Sequence, residues 1–196
     1  MQGTSVDVES PQNKPKWAAG GPISALVNAL IGFKPLFSLM KVGARRTLIQ
    51  TAEENGVPWT ARRIELEGMQ SVLEDKYAQV VRADVQYPDY YLNEFHAYDL
   101  GNLEWKAAME CESATLSMAL RVWPKESLGF QEAQDRLRYS YIDALRRYKP
   151  ITKEASSILD IGCSVGMSTF YLKDAFPTAH VTGLDLSPYF LAVAQH

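Results

Sequence analysis

An α/β fold is predicted: a long helical region, then one β-α-β-α unit of a parallel nucleotide-binding sheet. Three observations carry this. Apolar residues recur at three- and four-residue intervals through much of residues 21–150. At Ser156 that period gives way to two short apolar runs, Ser-Ser-Ile-Leu-Asp-Ile and Ala179–Leu184, the look of buried parallel strands. Between the runs stand a glycine-bearing turn at Gly162–Gly166 and a helical segment closed by Pro177, and Asp185 ends the second run.

Residues 1–20 are polar and rich in Pro, Gly and Lys, and are expected to form a flexible arm. The next stretch, GPISALVNALIGFKPLFSLM, is long enough to suggest a membrane helix, but Gly32, Lys34 and Pro35 interrupt it. A spanning helix needs about 20 mostly apolar residues without such a break. Two short helices are expected, one on each side of Gly32–Pro35, packed on the rest of the domain. The alternative for residues 22–46 is peripheral contact with a membrane surface, with Lys34, Lys41, Arg45 and Arg46 at the interface.

Residues 21–150 read as a helical lead-in or lid. One helical pattern, KVGARRTLIQTAEENG, stops at Gly56 with Pro58 just beyond. Another, TARRIELEGMQSVLEDKYAQVV, takes Thr60 as its N-cap. The segment VQYPDYYLNEFHAYDLGN breaks the period and is expected to be a long ordered loop with aromatic anchors. Asn102 is the expected N-cap of LEWKAAMECESATLSMALRVW, whose stripe is Leu103, Ala107, Cys111, Ala114, Met118 and Val122. The helix LGFQEAQDRLRYSYIDALRRYK carries Phe130, Ala133, Leu137, Tyr141, Leu145 and Tyr148 on one face. Its last turn holds Arg146, Arg147 and Lys149, where cations suit the helix dipole. After Asp185, Ser187 and Pro188 open a final helix as N-cap and first helical residue.

Composition excludes several classes. Hydrophobic residues are 46% and charged residues 22%, which is globular. A net charge of −3 is not the footprint of a nucleic-acid binder. The two cysteines, Cys111 and Cys163, have no disulfide or zinc spacing, which fits a reducing compartment and no metal site. The opening MQGTSVDVESPQ lacks the order of a secretory signal and the arginine-rich character of a transit peptide. The expected location is intracellular, cytoplasm or plastid.

The residue types around the turn suit an anionic ligand. A helix N-terminus offers unpaired N–H groups and partial positive charge. Close approach of ligand to backbone leaves no room for Cβ atoms, hence Gly162 and Gly166. An acid at the tip of the second strand can accept both hydroxyls of a ribose, and Asp185 lies 23 residues after Gly162. A dinucleotide fingerprint laid from Gly162 demands glycine at 164 and 167, where this chain has Ser164 and Met167. The pattern of Asp160, Gly162, Ser164 and Gly166 fits instead a ligand with an ammonium beside its carboxylate. Adenosine with such an amino-acid tail is S-adenosylmethionine.

At ILDIGCSVGMST and VTGLDLSPYFLAVA the chain resembles the first two motifs of class I S-adenosylmethionine-dependent methyltransferases. The likeness is to the broad type 11 kind, similar to ubiquinone and menaquinone methyltransferases, and covers about Ile158–His196. It implies a Rossmann-like sheet over residues 151–196, with Asp160 near the methionine ammonium. It implies also that Gly162, Cys163, Ser164 and Gly166 wrap the methionine moiety, and that Asp185, with Leu186 beside it, holds the ribose. Ser164 departs from the family, where glycine is commoner. FHAYDLGNLEWKAAMECES resembles the helical lead-in of a subgroup from plants and other photosynthetic organisms.

A class I domain resembles a seven-stranded sheet, and this chain reaches only the helix after the second strand. The expectation is therefore the truncated N-terminal part of a methyltransferase, an isoform or fragment, acting by family on a small molecule but inactive by itself. The alternative is a non-catalytic interaction or membrane-surface module with a vestigial nucleotide-binding tail. No catalytic residue is designated. Cys163 reads as a small filler rather than a nucleophile, and His96 as structural or solvated rather than an acceptor contact. Trp59, Trp105 and Trp123 read as packing anchors. The Arg pairs at 45–46, 62–63 and 146–147 read as solvated faces.

Overall fold

The computed structural model describes residues 34–95, 98–148 and 155–196. The expected arm, the helix before Gly32, His96 and Lys149 lie outside them. Residues 1–45 and 46–196 form separate compact units. The second holds everything that positions the glycine turn.

Helix α1, Lys34–Glu54, runs unbroken through both FSLM and the expected KVGARR helix. A helix does begin in the expected region, at Lys34, but it continues for 21 residues instead of stopping short. Pro35 sits in its first turn, where a missing N–H costs nothing. Among the described residues no helix is long and apolar enough to cross a membrane. The helix stops as expected at Gly56, which is left-handed at φ +84°. There the Gly56 amide donates to the Glu53 carbonyl at 2.9 Å and the Val57 amide to that of Ala52 at 3.0 Å. Those two bonds make a Schellman end, and Ala52 and Val57 supply its buried apolar contact.

The expected helix from Thr60 is two helices, α2 at Trp59–Gly68 and α3 at Gln70–Val80. They part at Met69, directly after Gly68, a weak helix former. Thr60 is not the N-cap. Pro58 holds that position, and the Thr60 amide is satisfied by the Glu53 carboxylate of α1 at 3.0 Å. That contact holds Glu53 below the usual carboxylate range.

The described residues of the expected loop, 85–95 and 98–102, form no α-helix. They contain a 3-10 turn at Asp89–Leu92 and an antiparallel bridge between Phe95 and Tyr98. At Gly101, φ is +57° and a Cβ would stand 2.6 Å from the Asn93 carbonyl, so only glycine fits. Helix α4, Trp105–Leu120, starts later than expected, with Glu104 and not Asn102 at its cap. Its expected stripe holds in part: Ala107 is buried and Cys111 and Ala114 pack against the cores, but Met118 and Val122 are exposed, while Ala108, Met109, Glu110, Ser113, Leu116, Ser117 and Ala119 are buried as well. α4 packs against α2 and against α5, Phe130–Tyr148. A helix covered on several sides has no single apolar stripe. On α5, Ala133, Gln134 and Ile142 are buried, whereas Tyr141 and Leu145 of the expected face are exposed.

The tail follows the expected order. Strand β1, Ser157–Ile161, leads to α6, Met167–Ala175, then β2, His180–Leu184, and α7, Pro188–Ala194. β1 and β2 are parallel, with Asp160 opposite Gly183 and Ile161 opposite Leu184. α6 packs on β2, while α7 packs on α3 and α4. Among the described residues only one face of the strand pair is covered. Leu159, Ile161 and Leu184 on the other are 57%, 76% and 53% exposed, against the expectation of buried strands.

The main core joins the helical region to the tail. Leu66, Leu73, Ala107, Ala108 and Met109 pack with Val165 of the turn and Phe190 and Val193 of α7. Around it the rings of Tyr77, Trp105 and Tyr189 meet tilted or edge-on, their centres within 5.7 Å of one another. Trp59 is buried as expected, and Trp123 lies under the Arg136 guanidinium, 4.5 Å from its ring centre. The Arg pairs are more than solvated faces: Arg62 bridges α2 to Glu112 of α4 at 2.9 Å, and Arg146 donates to the Ala175 carbonyl at 3.2 Å. These are long side chains with donors that reach neighbouring elements, which solvation alone does not predict.

Candidate cofactor site

β1 delivers the chain to a tight turn at residues 162–166. Gly162 and Gly166 are left-handed at φ +79° and +83°, and so is Ser164 at +53°. The three alternate along the turn, which accounts for glycine as the easier residue at position 164. A Cβ on Gly162 would meet nothing within 4 Å and would project into open space. On Gly166 it would stand 3.2 Å from the Phe170 ring and 3.4 Å from the Ala194 Cβ. Gly162 therefore keeps a path clear, and Gly166 lets α6 and α7 close together.

Asp160 is the last inward-facing residue of β1. Its Oδ2 accepts from the Ser168 and Thr169 hydroxyls, both at 2.7 Å, which fixes the carboxylate against the first turn of α6. Asp185 tips β2. Its Oδ2 accepts the Ser164 amide at 2.8 Å, and its Oδ1 accepts the Ser187 amide at 2.8 Å. The Tyr91 hydroxyl stands 3.5 Å from the same Oδ1. One carboxylate thus ties the turn to the start of α7. Ser187 caps α7 as expected, accepting the Phe190 amide at 3.2 Å, and its own hydroxyl donates to the Asn102 carbonyl at 2.6 Å.

Cys163 is buried, and burial with the Asp185 and Asp160 carboxylates pushes its thiol up to about 11. A thiol so far from ionising is no nucleophile at neutral pH. Its sulfur instead fills the gap before Gly183, where a Cβ would come within 2.8 Å. Leu186 is 44% exposed beside Asp185. The structure brings Asp160, Gly162, Cys163, Ser164, Gly166, Asp185 and Leu186 together at one end of the two strands.

Several neighbours escape sequence reasoning. Tyr91, Asn102, Cys111, Ser168, Thr169 and Gly183 all touch the site. Cys111 lies 3.0 Å from the Ser164 hydroxyl, and Tyr98 donates to the wholly buried Glu110 at 2.7 Å just behind it. Ser168 and Thr169 carry a signal, since hydroxyls in the first turn after a phosphate-style loop can reach the strand acid. Tyr91 carries none, being one of several tyrosines in a loop without period. A cavity of about 490 Å³ lined by Thr169, Phe170, Lys173 and residues 178–181 lies at the opposite end of β2 and is not this site.

Residues 158–196 match the family model of the methyltransferase domain. This segment, about a fifth of the chain, is thus similar to a methyltransferase domain. The chain is 39% identical over 54 residues to trans-aconitate 2-methyltransferase of Streptomyces avermitilis, over 28% of this chain and 20% of that protein. It is 33% identical over 67 residues to malonyl-[acyl-carrier protein] O-methyltransferase of Bacillus anthracis, over 34% of this chain and 24% of that protein. The match thus spans about a fifth to a quarter of the curated relatives' length. No solved structure matches the chain. The open position at Gly162 and the carboxylates of Asp160 and Asp185 fit the cofactor this family generally uses.

Proposed function

We propose that this chain binds S-adenosylmethionine at the Gly162–Gly166 turn as part of a methyltransferase acting on a small molecule. The observation that carries this is the pair of carboxylates flanking a turn whose first glycine faces open space. Asp160 would face the methionine ammonium, the backbone from Gly162 to Gly166 its tail, and Asp185 the ribose hydroxyls. The bound cofactor supplies a methyl group on a sulfonium. The residues here bind and orient it, and methyl transfer is largely a matter of such positioning.

The 196 residues by themselves should not turn over. Among the described residues the site rests on two parallel strands and stands open to solvent beside Gly162. An open pocket admits water and loses alignment. Affinity is expected in the millimolar range or weaker, about 4 kcal/mol or less. The test is radiolabelled methyl transfer from S-adenosylmethionine into a cell lysate, run with this chain and with one extended by fusion to the sheet-completing part of a curated methyltransferase relative. Transfer by the extended chain alone fits the proposal, and robust transfer by the short chain overturns the inactivity.

The bare apolar face of β1 and β2 favours a second reading, a non-catalytic module that docks on a partner. A folded monomer without affinity for the cofactor, with or without the extension, would decide for it.

A further inference from the structure

Asp185 has partners of unequal quality. The Ser164 and Ser187 amides are backbone groups, one locked in the turn and one at the start of α7, each at 2.8 Å. The Tyr91 hydroxyl, 94 residues away in sequence, is at 3.5 Å, the long limit of a hydrogen bond. Tyr91 sits on the 89–92 turn, its ring stacked on Tyr87 at 5.7 Å. A nucleoside that binds through its ribose must bring hydroxyls to this same carboxylate. The two amides cannot yield without undoing the turn and the helix cap. The tyrosine can yield by a small loop movement.

Resting on the S-adenosylmethionine reading of the site, we infer that Tyr91 is a positioning residue of the ribose site: its hydroxyl holds the ribose's place on Asp185 until the ligand displaces it. The loop before α4 thereby acts on the Asp185 carboxylate through the Tyr91 side chain. Burial and the Asp185 charge push the Tyr91 hydroxyl up to about 12, so it stays a neutral donor throughout the working range.

Tyr91→Phe removes the competing hydroxyl and keeps the ring that stacks on Tyr87. Titrations of the full chain with S-adenosylmethionine and with adenosine, followed by NMR, should show the variant binding both about threefold or more tightly. Hydrogen exchange of residues 87–93 in the natural chain should speed up when either ligand binds. A purely structural tyrosine would shift the melting temperature and leave both readouts alone. Unchanged or weaker binding by the variant, or slower exchange on binding, would overturn the inference and leave the cofactor reading standing. No binding by either protein up to the solubility limit of the ligands would overturn both.

Discussion

The helical region and the strand pair are built to different standards of burial. Val57, Leu66 and Leu73 are wholly enclosed, and Trp59 almost so. Ile161, in the strand that carries Asp160, is 76% exposed. The tail is held not by its sheet but by α7, whose Phe190 and Val193 enter the helical core, and by Val165 of the turn. So the helices that precede the cofactor motif are its scaffold. A two-stranded sheet is marginal alone, and here the glycine turn borrows its stability from the lead-in.

Truncation should separate the two regions most sharply. Leu66→Ala or Leu73→Ala should cost about 2–5 kcal/mol by urea denaturation, because each empties a sealed site. Leu159→Ser or Ile161→Thr on the bare face should stay within about 0.5 kcal/mol, as surface substitutions do. Equal losses in both sets would mean that the strand face is covered.

Asp185→Ala should come next. It removes the acceptor of the Ser164 and Ser187 amides and should cost about 1–3 kcal/mol in folding, with a similar loss in cofactor affinity. Asp185→Asn, which keeps one acceptor oxygen, should recover part of the stability.

A smaller gain is expected at Gln134. Its amide is wholly buried, and neither its Oε1 nor its Nε2 has a hydrogen-bond partner. Gln134→Leu should raise stability by about 1 kcal/mol, since an unsatisfied buried amide costs about that much. A drop in melting temperature would show that the amide is satisfied in solution.

The smallest effect is in pH. The Cys163 thiol is raised from 9.0 to about 11 and the Tyr91 hydroxyl from 10.0 to about 12. Both groups hold their protons more tightly folded than unfolded. Their contribution is intact below about pH 9 and falls as pH rises through about 11 to 12. Denaturation midpoints should decline over that window, and less steeply in Cys163→Ala.

Much of the site is legible in the sequence because its constraints are local. Gly162, Gly166, Asp185, Ser187 and Pro188 are each demanded by a backbone conformation or a strand end within a few residues. The strand–turn–helix–strand order is visible in the change of apolar period at Ser156. Contacts made by folding the lead-in back are not legible. Tyr91 reaches Asp185 and Asn102 reaches Ser187 only through the tertiary packing of α3, α4 and α7. The periodicity of α4 finds Ala107 but not the burial of Ala108, Ser113 and Ser117, because small residues are enclosed there by close helix approach, which a single apolar stripe does not reveal. Burial of the strands is overestimated because a short apolar run does not say whether both of its faces are covered.

The most direct test of the site itself is an NMR titration of the isotope-labelled chain with S-adenosylmethionine and, separately, with NAD. S-adenosylmethionine should shift the amides of residues 160–166 and 185–187, with weak affinity and little change elsewhere on the strands, and NAD should leave them in place. Tight NAD binding at those amides, or S-adenosylmethionine shifts that avoid them, would contradict the assignment.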